Sequence, residues 1–379
     1  MKKLAIYIHW PFCLSKCPYC DFSSRRLPPE EDEAQWAHAY GRELEGSAQK
    51  LSGRTITSVY FGGGTPSLMQ AKTVGSIIDK IVALWPVAEN CEITLEANPT
   101  SSEIEKFKAF RGAGVGRLSL GVQSFDNDAL RFLGRTHDAA SACRAIDMAA
   151  NVFERFSFDL IYARAGQTPQ MWAKELARAF SFSPKHLSLY QLTIEPRSAF
   201  YRRAAHETLT ANEAFAAEMF DVTQEMAEKA NLPAYEISNH AEEGQESRHN
   251  LTYWHYENYI GIGPAAHSRF CDKEGQRWAQ ENHDVPAQWL AQGSGAAQSE
   301  KIDMQTAMKE ALMMGLRLSS GIDKAAWHRK FGKPLEDFLL QDRLEAAQEE
   351  GLLMCSKEKF SATPEGRKKL NALLVYLLK

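Results

Sequence analysis

Short strand-like apolar runs recur before helix-length segments along the first half of the chain, at residues 4–9, 57–61, 92–97, 117–122, 156–162 and 187–192. Between them lie amphipathic stretches, 33–51, 71–84, 102–111 and 171–180 among them, long enough to make right-handed crossovers between parallel strands. About six βα units follow from this pattern, so the expected class is α/β with a barrel-like sheet. In such sheets chemistry collects where strands end and loops begin. Here cysteines follow the first run, glycines follow the second, and the next three end near Glu96, Gln123 and Asp159.

The stretch 292–299 is small and polar, Gln292-Gly293-Ser294-Gly295-Ala296-Ala297-Gln298-Ser299, and reads as a linker. It predicts a barrel domain over 1–291 and a second domain over 300–379. From Ala307 the pattern runs helix, helix, helix, short strands at 352–355 and 359–361, then a helix over 364–378, the order of a winged-helix-like α+β module. A chain of 379 residues has room for a large and a small domain.

Composition is that of a globular protein, with 44% hydrophobic and 24% charged residues. A net charge of -4 argues against generic nucleic-acid binding, and the cations of the tail are offset by neighbouring acids. No stretch approaches the roughly 20 apolar residues of a membrane span, which leaves peripheral contact with a membrane surface open. The first residues run straight into a strand-like segment without an export signal, and the cysteines suit a reducing compartment, so a cytoplasmic location is expected.

Three of the seven cysteines, Cys13, Cys17 and Cys20, are spaced C-x3-C-x2-C directly after the first strand-like run. Soft thiolates at that range suit iron-sulfur ligation, and three of them leave one iron of a cubane without a protein ligand. A zinc site would want a fourth cysteine or histidine at compatible spacing. Gly62-Gly63-Gly64-Thr65-Pro66 closes the second run, where residues lacking a Cβ let backbone amides approach a ligand.

These segments resemble the radical S-adenosylmethionine (SAM) superfamily, in which SAM binds the open iron and its reductive cleavage yields a 5'-deoxyadenosyl radical. The likeness extends through Leu95-Glu96-Ala97, Gly121-Val122-Gln123, Gly134-Arg135-Thr136 and Phe158-Asp159-Leu160 to Gln191-Leu192-Thr193 and Gly261-Ile262-Gly263-Pro264, matching the oxygen-independent coproporphyrinogen III oxidase family. The resemblance implies a partial (β/α)6 TIM-like barrel with a smaller C-terminal winged-helix-like α+β domain. It implies a 4Fe-4S cluster on the three cysteines, and SAM held by Tyr7, Tyr19, Gly62, Gly63, Gly64, Thr65, Glu96, Gln123, Arg135 and Asp159. Thr193 and His267 stand at two further contact positions. The sequence departs from the family at Ala163-Arg164-Ala165, where many relatives carry Gly-Leu-Pro, and at Ala265, where glycine is common.

Two features separate branches of that family. The oxidase carries another cysteine two residues after the third, where this chain has Phe22, and an N-terminal extension, whereas the first run here starts at Leu4. His249-Asn250-Leu251-Thr252-Tyr253 matches instead the HNxxY motif of the haem chaperone branch, HemW. If helical, it puts His249 and Tyr253 on one face, and either side chain can ligate haem iron. The branch implies haem as ligand, transfer to a haem-accepting apoprotein, and an electron donor such as a flavodoxin or ferredoxin. The alternative is a radical SAM oxidoreductase of porphyrin biosynthesis, the oxygen-independent coproporphyrinogen III oxidase. His9, His137, His186, His240 and His255 show no metal-binding spacing, and the aromatics Tyr253, Trp254, Tyr256 and Tyr259 read equally as a porphyrin pocket or as core.

Overall fold

The computed structural model describes residues 2–29, 32–292 and 296–378. Its main sheet has eleven strands: β1 (Lys2–Trp10), β2 (Arg54–Gly63), β3 (Val87–Ala97), β4 (Arg117–Gln123), β5 (Arg155–Tyr162), β6 (His186–Gln191), β7 (Asn239–Ala241), β8 (Tyr259–Ile262), β9 (His267–Cys271), β10 (Arg277–Asn282) and β11 (Ala296–Ile302), in the order β11-β10-β9-β8-β1-β2-β3-β4-β5-β6-β7. Strands β1 to β6 are parallel neighbours, the six units the sequence predicts. The sheet has two ends: β7 adds antiparallel to β6, while β8 lies parallel to β1 on the other side and leads an antiparallel extension through β11.

Crossover helices include α1 (Glu33–Lys50), α2 (Ala71–Leu84), α3 (Ala139–Val152), α4 (Pro169–Phe180) and α5 (Glu213–Lys229). Helix α4 starts two residues earlier than the apolar pattern indicates. Thr168 accepts from the Met171 N–H and Pro169 occupies the first turn, where its missing N–H costs nothing. The helix expected over 102–111 is broken into Ser101–Ile104 and Phe107–Gly112. Its residues are drawn elsewhere: the buried Glu103 carboxylate takes the Asn98 N–H (2.9 Å) and Thr100 Oγ1 (3.0 Å), and Lys106 Nζ donates to the carbonyls of Ser67 and Leu68.

Side-chain alternation along the parallel strands decides where the core lies. Leu118, Leu120 and Val122 of β4 and Phe158 and Leu160 of β5 face outward and are buried beneath the helices. The alternate positions, Arg117, Ser119, Gly121 and Gln123 on β4 and Asp159 and Ile161 on β5, face an internal cavity. The apolar face is therefore the outer one, and the lumen is polar.

The tail comprises α7 (Met304–Gly315), α8 (Lys324–Phe331) and α9 (Gln341–Glu349), a three-stranded sheet of β12 (Ile322–Asp323), β13 (Leu353–Cys355) and β14 (Lys359–Ala362) in the order β12-β14-β13, and a C-terminal helical segment. That segment is two helices, Pro364–Lys368 and Leu370–Leu378, rather than one. Residues 293–295 of the expected linker lie outside the described residues. The remainder corrects that expectation: Ala296, Gln298 and Ser299 pair with Asn282, Glu281 and Gln280, so this polar stretch forms the edge strand of the main sheet. Ion pairs then fasten the tail to the barrel, Arg317 to the fully buried Glu236 (3.2 Å), Arg269 to Glu310 (3.2 Å) and Lys330 to Glu257 (3.0 Å).

Candidate functional site

One end of the lumen opens between the loops that follow β1, β2 and β4, enclosing a cavity of about 440 Å³ whose wall includes Cys13, Cys17 and Cys20. The cysteine loop is closed by short parallel pairing of Phe12–Cys13 with Arg25–Arg26 and by the Leu27 N–H to Cys13 carbonyl bond (2.9 Å). It is stitched to the glycine loop by Gly64 N–H to Trp10 O (2.7 Å) and Thr65 N–H to Phe12 O (2.8 Å). The approach is closer than any side chain permits, since a Cβ on Gly64 would stand 2.4 Å from the Phe12 carbonyl oxygen.

Burial pushes the Cys13 thiol above its ordinary range and Cys20 up to about 11. Beside them Arg135 Nη1 lies 3.3 Å from Cys17 Sγ, and its Nη2 donates to the Gly121 carbonyl (2.8 Å) and to Asn98 Oδ1, while the buried Nε has no partner. Among the described residues no three His, Cys, Asp or Glu side chains are grouped to hold a single metal ion. The three thiols line one mouth of the cavity.

Deeper in the wall Glu96 accepts from Tyr60 OH (2.9 Å) and is pushed up to about 7, by burial first and by Asp159 second. Burial raises Asp159 to about 6. Two carboxylates this near neutrality ionise readily when a cationic ligand arrives. Gln123 holds a left-handed backbone (φ 69°) rare for a residue with a side chain, and its buried Oε1 has no partner. These orphaned atoms, the thiols and the glycine cradle fit a cluster with SAM beside it.

Of the expected site residues, the cavity wall gathers the three cysteines, Tyr19, Gly63, Gly64, Thr65, Glu96, Gln123, Arg135 and Asp159, together with Thr193. Tyr7 and Gly62 stand behind it: Tyr7 stacks on Tyr60 (centroids 6.2 Å) and donates to or accepts from His9 Nδ1 (3.2 Å), and a Cβ on Gly62 would meet the Tyr7 ring at 2.8 Å. His267 is outside, exposed and 3.6 Å from Glu281. Phe22 is exposed at the mouth.

The HNxxY segment is helical, α6 (Arg248–Trp254), capped by the Ser247 side chain. His249 and Tyr253 do share a face, but they are turned inward and bonded to each other, Nε2 to Oη at 2.7 Å, while His249 Nδ1 meets Ser58 Oγ (2.9 Å). Burial lowers the His249 pKa to about 3, so the ring is neutral. It stacks on Tyr60 (5.1 Å), and the next residue, Asn250, enters the cavity wall. Tyr253 packs edge-on to Tyr259 (4.6 Å), Trp254 lies under Arg317 of the tail (4.6 Å), and Tyr256 bonds Glu310 (2.6 Å). The aromatic cluster is thus packing between barrel and tail. Sequence reasoning did not single out Tyr60, Asn98, Arg117 or Asn250; the period of two that sets Arg117 in line with Ser119 and Gln123 was the available signal.

A parallel barrel with three thiols at the mouth of its lumen and a glycine cradle alongside defines a radical SAM fold. The chain matches the radical SAM superfamily over residues 7–179 and the HemN C-terminal domain over 302–368. Haem chaperone HemW of Escherichia coli (strain K12) is 32% identical over 379 residues, covering 100% of this chain and 99% of that protein. The mitochondrial radical S-adenosyl methionine domain-containing protein 1 of Bos taurus is 34% identical over 390 residues, 100% of this chain and 88% of that one. The solved coproporphyrinogen III oxidase HemN of Escherichia coli superimposes with a TM-score of 0.82 over 99% of this chain and 90% of its own at 18% identity, a likeness of fold. The chain belongs to the radical SAM superfamily, within it to the HemW branch of the HemN-like proteins.

Proposed function

We propose that this chain is a haem chaperone on a radical SAM scaffold, taking up haem and passing it to an acceptor protein, with a 4Fe-4S cluster and SAM as resident cofactors. The observation that carries this reading is its similarity to HemW proteins over nearly their whole length, 31% identity covering 98% of the Haemophilus influenzae protein and 32% covering 99% of the Escherichia coli one. Cys13, Cys17 and Cys20 would hold the cluster. Gly63, Gly64, Thr65, Gln123 and Arg135 would orient SAM, with Glu96 and Asp159 offering negative charge to it, and Tyr7, Tyr19 and Gly62 shaping the wall. When bound, the cofactors supply one-electron reductive chemistry, for which an electron donor such as a flavodoxin or ferredoxin is needed. A reducing cytoplasm suits such a site.

His249 and Tyr253 are the proposed haem ligands. Burial keeps the His249 ring neutral, the form that ligates iron, and either side chain would be free to hold haem iron once their mutual bond is released. The test is haem titration of anaerobically reconstituted protein, followed in the Soret band, beside a coproporphyrinogen III turnover assay with SAM and reductant. His249→Ala is expected to weaken haem about tenfold or more, Tyr253→Phe to shift the spectrum, and turnover to be absent. Unchanged haem uptake in both variants, or conversion to protoporphyrinogen IX, overturns the reading.

A further inference from the structure

The floor of the lumen holds a cation that the cofactor reading does not use. Arg117 opens β4, six residues or about 20 Å along the strand from Gln123 at the mouth. It is 3% exposed, yet its one hydrogen bond is from Nη2 to Ser157 Oγ (2.7 Å), and among the described residues it joins no ion pair. A guanidinium has five N–H donors, and Arg117 belongs to the cavity wall, so its remaining donors are presented to the lumen. Its charge faces the buried Glu96 and Asp159, neither of which it bonds, so its free N–H donors remain to be satisfied.

We propose that this floor is a carboxylate-binding site centred on Arg117, separate from the cofactor-binding mouth. Two polar atoms sit in the same wall without partners, Asn239 Oδ1 and His186 Nδ1, the latter on a ring whose Nε2 is already shared with Tyr235 OH (3.0 Å). Asn250, carried by α6, completes the lining and supplies an amide donor. The arrangement selects a ligand whose carboxylate meets the Arg117 fork, with the Asn250 amide as a second donor. Glu96 and Asp159 line the same cavity and share the field of Arg117; a cationic ligand at the mouth would take up their charge and leave the guanidinium free for a carboxylate. The ligand is either a small free carboxylic acid or the carboxylate arm of a larger molecule such as haem. The site itself stands without the chaperone reading.

The experiment uses the full chain, reconstituted and saturated with SAM, and follows ¹³C-labelled propionate by NMR line broadening for wild type, Arg117→Gln and Arg117→Lys. Wild type is expected to bind propionate, Arg117→Gln to lose about tenfold or more, and Arg117→Lys to retain part, while SAM affinity changes far less in each variant. Equal binding by wild type and Arg117→Gln, or no propionate binding at all, overturns the proposal. So does a loss of SAM affinity in Arg117→Gln as large as the loss of propionate, which would place Arg117 in the cofactor site itself. Asn250→Asp, which leaves Arg117 in place and sets an anion opposite the ligand, is expected to weaken propionate likewise and covers a folding failure of the first variant; unaltered binding there counts against the site.

Haem and haem dimethyl ester distinguish the sources. Preference for the free acid that vanishes in Arg117→Gln assigns the site to a haem arm, whereas equal affinity for both, with propionate binding kept, assigns it to a free acid. Haem that fails to bind while propionate binds sinks the chaperone reading and leaves the Arg117 site standing.

Discussion

Two alanines occupy positions that the backbone shapes for glycine. Ala163 (φ 59°) and Ala265 (φ 58°) both lie in the left-handed region, and both are points where the sequence departs from its family. Backbone bonds hold each turn, Ala211 N–H to Ala163 O (2.9 Å) and Ala265 N–H to His283 O (2.9 Å). A Cβ in this region costs roughly 1–2 kcal/mol, and glycine returns part of that through the freedom of the unfolded chain. Ala265→Gly is therefore expected to stabilise the protein by about 0.5 kcal/mol in urea unfolding. A loss of more than about 1 kcal/mol would show that the methyl group packs better than the backbone angle implies.

At the scale of elements, Glu43 of α1 decides how the extension from β8 to β11 is joined to the parallel strands. Its buried carboxylate accepts from Gly263 N–H (2.9 Å), Asn282 Nδ2 (2.6 Å) and Trp289 Nε1 (2.9 Å), tying one helix to the β8–β9 turn, to β10 and to the helix that follows. Glu43→Gln trades one acceptor oxygen for a donor facing donors, so a loss of about 1–3 kcal/mol is expected, read as a lower urea midpoint. Hydrogen exchange should quicken first in β9 and β10; uniform exchange across the sheet would contradict this role. The parallel strands were legible in the sequence because each is an apolar run followed by a helix-length segment. The extension was not, since its strands are short and half-polar, and Ala296–Ile302 acquires strand character only by pairing with β10. The site divides the same way. Cysteine spacing and the glycine run are local signals, whereas the inward aim of His249 depends on Ser58 and Tyr60, nearly two hundred residues away in sequence.

Over the whole molecule, the tail braces the haem-motif helix. Arg317 pairs with buried Glu236 and lies over Trp254, the last residue of α6, while Lys330 caps the carbonyls of His255 (2.6 Å) and Tyr256 (2.9 Å) just beyond it. Arg317→Ala leaves the Glu236 carboxylate buried without that partner, a loss of about 3 kcal/mol, at the low end for a broken buried pair because Arg317 is itself part-exposed. Because the same change frees Trp254, the variant is expected to exchange amide hydrogens of α6 faster and, on the proposed chaperone reading, to take up haem more quickly than wild type. Slower uptake would mean that the tail helps to form the haem site instead of restraining it.

The polar lumen separates two demands that most proteins must meet with the same side chains. Folding stability resides in the outward apolar face beneath the helices, so inward positions are comparatively free to vary without unfolding the chain. A lineage can thus exchange one interior residue for another and alter its chemistry while its architecture persists. In evolutionary terms, the barrel is a durable housing with a replaceable lining.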